Sequence, residues 1–448
     1  MTTSPDTIFA LSSGRPPVAI AVIRISGPQA GAALEALTGR IPAPRKGSLA
    51  RVRDPQSGEL IDEALALWFP GPRSETGEDT AELQVHGGHA IIAATLRALG
   101  EVPGLRPAEA GEFTRRAFLN GQLDLTAVEG LADLIAAETE GQRRQALRHY
   151  SGVLREKAEG WRTQLIQALA LVEARIDFSD ESDVPDGLDV PAREIARALR
   201  DEIAAVLAEG RRGERLRDGF VVAIAGPPNA GKSTLLNRIA KRDVAIVSPY
   251  AGTTRDVIEV HLDLDGWPVT LLDTAGIRET DDPVEQEGVR RARDRAAQAD
   301  LVLWVTDAAG GATPPPEMEA PVWQVVNKSD LVAGGGSSGV EMTGAVEAKV
   351  PEFRLSALLD AGVGDLIAAI GVRAGAAMAG ESALIARERH RRALAATRDH
   401  LGAADGELRE EILAEHLRLA SRELGRLTGR VDVEDILDVI FRDFCIGK

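Results

Sequence analysis

The sequence predicts a multidomain protein that combines α/β and all-α parts, on three observations. Strands and helices alternate from about residue 218 around a glycine-rich phosphate loop. Helical periodicity fills long stretches on both sides of that block. A shorter mixed α/β pattern precedes them all.

The first pattern covers residues 17–118. PVAIAVIRISG is an apolar, β-branched run that predicts a strand, and AGAALEALTG predicts a helix closed by Gly39. EALALWFPGP predicts a further strand ending in a Pro/Gly turn, and TAELQVHGG leads into the helix HAIIAATLRALG. From 119 to about 212 apolar residues recur every three or four positions, with an interruption at SDESDVPDGLDVP and a helix end expected near Gly210. From about 218 the short strands FVVAIAG, VTLLD, LVLWVTD and VWQVVN predict a mainly parallel sheet with crossover helices. After about 376 the pattern is helical again. The expected division is 1–118 for an N-terminal domain, 119–213 and 376–448 for two parts of one helical domain, and 214–375 for a module inserted between them.

At 448 residues, about three domains are expected from a typical size of roughly 150 residues. A hydrophobic share of 44% and a charged share of 27% exclude a disordered chain. The net charge of −17 disfavours a general nucleic-acid binder, so any RNA contact needs a local basic patch or a partner protein. Cys445 is the only cysteine, so no intrachain disulfide can form. The N-terminal residues lack a basic segment followed by an apolar core, and no apolar run has the length of about 18 residues that a membrane span needs. A cytoplasmic location without a membrane span is the expectation.

Gly226 to Ser233, GPPNAGKS, fits GxxxxGK[ST] between a strand and the helix STLLNRIAKR, the context that a phosphate-binding loop requires. Its glycines let backbone N–H groups wrap phosphates at a helix N-terminus. The residues expected to line it are Asn229, Ala230, Gly231, Lys232, Ser233 and Thr234, with Lys232 on the β/γ oxygens and Ser233 on Mg²⁺. Asp273, Thr274, Ala275 and Gly276 end the strand VTLLD, where a carboxylate can reach Mg²⁺ through water and a glycine can meet the γ-phosphate. Asn327, Lys328, Ser329 and Asp330 end VWQVVN; a carboxylate there accepts two hydrogen bonds from guanine that adenine cannot supply. Ser356, Ala357 and Leu358 suit a backbone contact to the guanine oxygen. Four elements in this order indicate GTP over ATP, with the spacing of translation-factor-type GTPases.

Ras-like enzymes place a water-orienting glutamine directly after DTAG. Ile277 stands there and cannot hold water, so hydrolysis needs other groups. The segment Ser248, Pro249, Tyr250, Ala251, Gly252, Thr253 and Thr254 lies between the phosphate loop and the DTAG strand, with Thr254 placed to close over Mg²⁺. Its oxygens and Asn229 offer a set for a monovalent cation acting where an arginine finger would; a plain surface loop fits the same spacing.

AVIRISG at 21–27, GEFTRRAFLNGQLDL at 111–125, GPPNAGKST with AGTTRD and DTAGIRE, and the terminal FCIGK together resemble the MnmE (TrmE) family of tRNA-modifying GTPases over nearly the whole chain. That resemblance implies a homodimer formed through an N-terminal α+β domain similar to folate-binding modules. It implies a helical domain carrying an inserted Ras-like G domain, and a heterotetramer with the flavoprotein MnmG. The implied reaction adds an aminomethyl-type group at C5 of the wobble uridine of tRNA, with 5-formyltetrahydrofolate or another one-carbon tetrahydrofolate as donor. GTP hydrolysis would depend on K⁺ and on G-domain dimerisation. The resemblance places K⁺ at Asn229, Ser248, Tyr250 and Thr253, Mg²⁺ at Ser233 and Thr254, and a water-positioning carboxylate at Glu285. It places folate at Arg24, Glu82 and Lys448, with Gln122 where the family usually has a basic residue. Ala110 stands for a common proline and Pro227 for a common arginine.

Cys445 reads either as a thiolate nucleophile or as a small apolar residue in a supporting role. GQRRQALRHYSGVLREK and LIARERHRRALAATRDH are locally basic and read either as tRNA-facing or as solvated helix faces. His86 and His89 are too isolated for a metal site. A ribosome-assembly GTPase is the alternative function, but it should carry an RNA-binding module such as a KH domain, and no basic segment after the G domain reads so. A purely regulatory switch would not need a folate site.

Overall fold

The computed structural model describes residues 6–177, 189–246, 259–273, 299–310, 314–315, 317–332, 339–343, 350–380, 383–407, 409–431, 437, 440–441, 444 and 446–447. It divides into two compact units. One comprises Met1–Ala132, His149–Arg197 and Asp399–Lys448; the other comprises Asp133–Arg148 and Ala198–Arg398.

The first unit contains a six-stranded sheet, β1 (Thr7–Leu11), β2 (Val18–Ser26), β3 (Ser48–Arg53), β4 (Leu60–Phe69), β5 (Thr80–Gly87) and β6 (Leu105–Pro107), in the order β3-β4-β5-β2-β1-β6. All pairs are antiparallel except β1 with β6. Alternate residues Ala21, Ile23 and Ile25 of β2 and Ala81, Leu83 and Val85 of β5 face a core with Leu34 and Leu37 of α1 (Ala30–Thr38) and Leu99 of α2 (His89–Gly100). Gly39, at φ 75°, closes α1 as its position in the sequence predicts. The strand at TIFAL was not read from the sequence.

Helix α3 (Glu112–Leu119) brings charges inside this unit. Arg116 is 4% exposed and lies 2.9 Å from Glu112, 3.1 Å from Glu78 and 3.0 Å from Asp6. Arg106 also pairs with Asp6 and Glu112, both at 2.5 Å. Burial disfavours ionised Asp6 and Glu112, but the hydrogen bonds from Arg106, joined by Arg116, outweigh it and hold both carboxyls below their ordinary values. This network accounts for Glu112 and Arg116 in GEFTRRAFL, while Arg115 is exposed.

The helical pattern after residue 119 breaks into α4 (Leu125–Ala136), α5 (Glu140–Tyr150), α6 (Val153–Asp177) and α7 (Asp189–Asp218). Within the first unit α6 packs against α11 (Glu410–Thr428), burying Trp161, Leu165 and Leu417. Leu125 and Val128 pack with Leu437, Phe441 and Phe444, which draws the chain end into this unit. Ala110 bridges Ile446, and Ser12 Oγ donates to the Gly447 carbonyl at 2.8 Å.

Helix α7 passes the stop expected at Gly210 and ends at Asp218, followed by Gly219 at φ 87°. The reason is packing. A Cβ on Gly210 would lie 2.7 Å from Ile385 Cδ1, and one on Gly213 2.1 Å from the Ile385 carbonyl, so both glycines mark a close approach rather than a helix end.

The second unit contains β7 (Phe220–Ala225), β8 (Glu259–Leu264), β9 (Trp267–Asp273), β10 (Leu301–Asp307), β11 (Val322–Asn327), β12 (Gly339–Thr343) and β13 (Val350–Arg354). The order is β12-β13-β11-β10-β7-β9-β8, parallel in the middle with antiparallel pairs at both edges. The expected mainly parallel sheet is therefore present. Helices α8 (Lys232–Ala240) and α9 (Val363–Met378) cover it through Leu235, Ile239, Leu366 and Ile370, and α10 (Glu388–Gly406) follows. No described helix is long and apolar enough to cross a membrane.

Replacing Arg116 with Met should lower the stability of the first unit by about 3–5 kcal/mol in chemical denaturation, because buried carboxylates lose their partner. The network's contribution should be full above the ordinary carboxyl values of 3.8 and 4.5 and fade as pH falls through the lower folded values. R116M should flatten that acid limb; an unchanged limb would refute the assignment.

Candidate nucleotide site

The candidate site lies at the carboxyl ends of β7, β9, β10 and β11, the edge at which open parallel sheets take ligands. The loop after β7 turns at Gly226, φ 140°, and reaches α8 through Gly231, φ 89°. Asn229 is also left-handed, at φ 65°. A Cβ on Gly231 would stand 2.3 Å from Asn327 Nδ2, so the loop can approach β11 only with glycine there.

Lys232 is 8% exposed, and its Nζ donates to the carbonyl oxygens of Gly226 and Pro227, both at 2.9 Å. Ser233 Oγ donates to Asp273 Oδ2 at 2.9 Å, which brings the two expected Mg²⁺-facing oxygens together from α8 and β9. Ala230 is buried, while Thr234 is exposed on the first turn of α8.

At the end of β11 the Asn327 side chain donates from Nδ2 to the Ala230 carbonyl at 2.9 Å and accepts from the Ala357 N–H at 3.0 Å. Ser329 and Asp330 lie in a 3-10 turn, with Asp330 exposed. Ser356 and Ala361 exchange two backbone hydrogen bonds, which closes the loop carrying Ala357 and the exposed Leu358. Arg238 of α8 donates to the Ala357 carbonyl at 2.9 Å and to that of Leu358. Lys328 Nζ donates to the Asn229 carbonyl at 2.9 Å and to Asp307 Oδ2 at 2.6 Å. That contact, and the Ala309 N–H, hold the Asp307 carboxyl below its usual range. Sequence reading missed Asp307 and Arg238; the strand end LVLWVTD was the only sign of the former.

Ser248, Pro249, Tyr250, Ala251, Gly252, Thr253, Thr254, Thr274, Ala275, Gly276, Ile277 and Glu285 lie outside the described residues, as do Cys445 and Lys448.

In the first unit Arg24 of β2 stands opposite Glu82 of β5 in register. Its guanidinium lies 3.0 Å from Glu82 and 2.5 Å from Glu75, over the Phe113 ring at 5.8 Å. Gln122 is exposed, beside Gly77. Gly447 lies against Leu11 and Ser12, and the neighbouring Ala10 pairs with Arg24, so the terminal segment runs near this ion pair.

The basic segments are largely paired internally. Arg143 and Arg144 both reach Glu140 at 2.7 Å, pulling its carboxyl down to about 2. Arg387 reaches Asp133 at 2.6 Å, Arg391 reaches Glu214 at 3.1 Å and Arg392 reaches Glu388 at 2.6 Å. His86 pairs with Asp62, and no group of metal-binding side chains occurs among the described residues.

Two family models match the chain. "GTP-binding protein TrmE N-terminus" matches residues 7–122, and "MnmE helical domain" matches residues 125–445. A tRNA modification GTPase MnmE of Rhodopseudomonas palustris (strain BisB18) is 57% identical over 451 residues, covering 99% of each chain. One of Bradyrhizobium sp. (strain ORS 278) is 59% identical over 447 residues, again covering 99% of each. Among solved structures, the FeoB G domain of Methanococcus jannaschii covers 35% of this chain and 97% of its own, with 23% identity and a TM-score of 0.23, too slight a likeness to carry an argument.

Gly231→Ala should weaken GDP binding at least tenfold, about 1.4 kcal/mol, in calorimetric titration, since both the backbone angle and Asn327 oppose a side chain. Gly402→Ala, in α10 with nothing within 4 Å of the new methyl, should leave the affinity unchanged. Equal affinities in all three proteins would refute the packing argument.

Proposed function

Because the chain belongs to the MnmE family of tRNA modification GTPases, we propose that it hydrolyses GTP to drive modification of the wobble uridine of tRNA at C5. The observation that carries the nucleotide part is the convergence of Lys232, Ser233, Asp273 and Asn327 on the loop between β7 and α8. The family part rests on the two full-length relatives.

On this reading the amides of 226–233 wrap the phosphates, and Lys232 moves from its two loop carbonyls to the β/γ oxygens. Ser233 and Thr254 would hold Mg²⁺, with Asp273 behind a water; the adjacent hydroxyl and carboxylate oxygens of Ser233 and Asp273 suit a hard cation. Asn229, Ser248, Tyr250 and Thr253 would hold K⁺. Bound there, these cations would supply positive charge to the phosphate oxygens. Asp330 would accept the two guanine donors, and the backbone at Ser356–Leu358 would meet the guanine oxygen. Glu285 would orient the attacking water that Ile277 cannot.

For the other half of the reaction, Arg24 and Glu82 set a donor next to an acceptor, which suits a planar heterocycle bearing an amide, such as a one-carbon tetrahydrofolate. Gln122 and Lys448 would complete that site, with Cys445 beside it. The active assembly would be a homodimer joined by MnmG, acting on tRNA in the cytoplasm, with domains at 1–118, 119–213, 214–375 and 376–448. The full-length relatives favour this function over ribosome assembly.

Deleting the gene should remove 5-aminomethyl-type and 5-carboxymethylaminomethyl uridines from tRNA, read by mass spectrometry of nucleosides. Wild-type protein should restore them and Lys232→Ala should not. An unchanged nucleoside profile after deletion would defeat the functional reading. Separately, Glu285→Ala should slow single-turnover hydrolysis by about 10²-fold or more with GTP affinity nearly intact, as when an interaction made only in the transition state is lost. Asp281→Ala and Asp282→Ala should do much less, and wild-type turnover in E285A would remove Glu285 from the mechanism.

A further inference from the structure

Asp307 has no part in the mechanism above, yet it sits at the junction of the phosphate loop and the turn after β11. We propose that Asp307 is a positioning residue that slows release of bound guanine nucleotide by holding the Lys328 ammonium on the Asn229 carbonyl. This rests on the nucleotide reading of the site.

Both carboxylate oxygens of Asp307 are committed. Oδ1 accepts the N–H of Ala309, two residues on, which fixes the carboxylate against its own backbone at the end of β10. Oδ2 accepts Lys328 Nζ at 2.6 Å. Asp307 also stands in register with Asn327, and the Ala308 N–H donates to the Asn327 carbonyl at 2.9 Å. The carboxylate is therefore held by the Ala309 N–H, and its backbone by the pairing with β11, before it meets the lysine.

Lys328 then crosses to the Asn229 carbonyl at 2.9 Å. Lys328 and Asn229 have φ of 61° and 65°, so one hydrogen bond joins two non-glycine residues in left-handed backbone. Such residues persist only where surrounding contacts hold them. The lysine side chain spans the turn expected to hold the base and the loop expected to hold the phosphates. Without Asp307 the ammonium would keep one neutral acceptor and gain freedom to turn to water, because Lys328 is one-third exposed. A tie between the two halves of a nucleotide site acts after docking, so its loss should raise the dissociation rate more than it changes association.

The test uses the full-length protein and a fluorescent N-methylanthraniloyl GDP, displaced by excess GDP. Failure of the wild-type protein to bind the probe would sink the nucleotide reading itself, before Asp307 is addressed. Asp307→Asn keeps the side-chain shape and an acceptor for Ala309 but removes the charge. Release from D307N should be about tenfold faster, as for a lost charge-assisted hydrogen bond. Lys328→Met should also release faster, and D307N combined with K328M should release no faster than K328M alone. Release from D307N within about twofold of wild type would overturn the proposal. So would an equal acceleration by D307N in the K328M background, since Asp307 would then act through the fold and not through the lysine.

Discussion

The carboxamide of Asn327 is the constraint on which the nucleotide site depends. It is 2% exposed, donates to the Ala230 carbonyl and accepts from the Ala357 N–H. Those bonds fasten the loop after β7 and the loop after β13 to the end of β11. The backbone carbonyl of the same residue accepts from Ala308 after β10. Few side chains this short carry a donor and an acceptor on opposite arms. An aspartate would lack the donor, and a leucine would leave both partners unsatisfied in a buried place. Gly231 follows from the same requirement, because Asn327 Nδ2 occupies the space a side chain there would need. The glycine and the asparagine, almost a hundred residues apart in sequence, are thus one structural demand.

That pairing also marks how much the sequence disclosed. The strand–loop–helix turn from Gly226 to Ser233 was legible because its geometry is local: glycines, a lysine and a hydroxyl at fixed spacing. The parallel pairing in the middle of the sheet likewise follows from short apolar runs alternating with helical segments, whereas the strand order and the edge strand β8 were not read. Asp307 was not legible beyond its place at the strand end LVLWVTD, since its role lies in a contact with Lys328, twenty-one residues later. Arg238 was hidden for the same reason, with its partner at Ala357. The strand TIFAL escaped notice because a five-residue run carries little periodicity, and it is held by pairing with both β2 and β6. Gly210 was misread as a helix end because the sequence cannot distinguish a terminating glycine from one that admits a neighbouring chain, here Ile385.

Charge follows a similar logic. The net charge of −17 places the burden on how the arginines are used. In the N-terminal sheet domain, Arg116 and Arg106 gather Asp6, Glu78 and Glu112, so acidic residues that would repel one another share cations. Along α5, along α10 and at Arg387 just before it, arginines that look like a basic patch in the sequence lie on Glu140, Asp133, Glu214 and Glu388. Surface pairs of this kind contribute little to stability, commonly below about 1 kcal/mol, but they reduce the field that such helices present to a phosphate backbone. A tRNA contact by these segments would have to break or share the pairs, which weakens the case for them as its main docking face.

The same principle of exchanged partners governs the nucleotide. Lys232 already donates to two carbonyls, Ser233 to Asp273, and Lys328 to Asn229 and Asp307. GTP would not meet a set of unsatisfied donors. It would replace neutral carbonyls with phosphate oxygens at Lys232, and the net gain is the difference between a charge-assisted bond and an ordinary one. At Lys328 no phosphate is needed, because the lysine's partners belong to the protein and need not exchange. The site therefore divides into groups whose partners change on binding and groups whose partners stay. On the proposed reading Lys232 and Ser233 would belong to the first class and set how strongly phosphate is preferred. Asn327, Asp307 and Lys328 would belong to the second and keep the loops aligned while the first class switches.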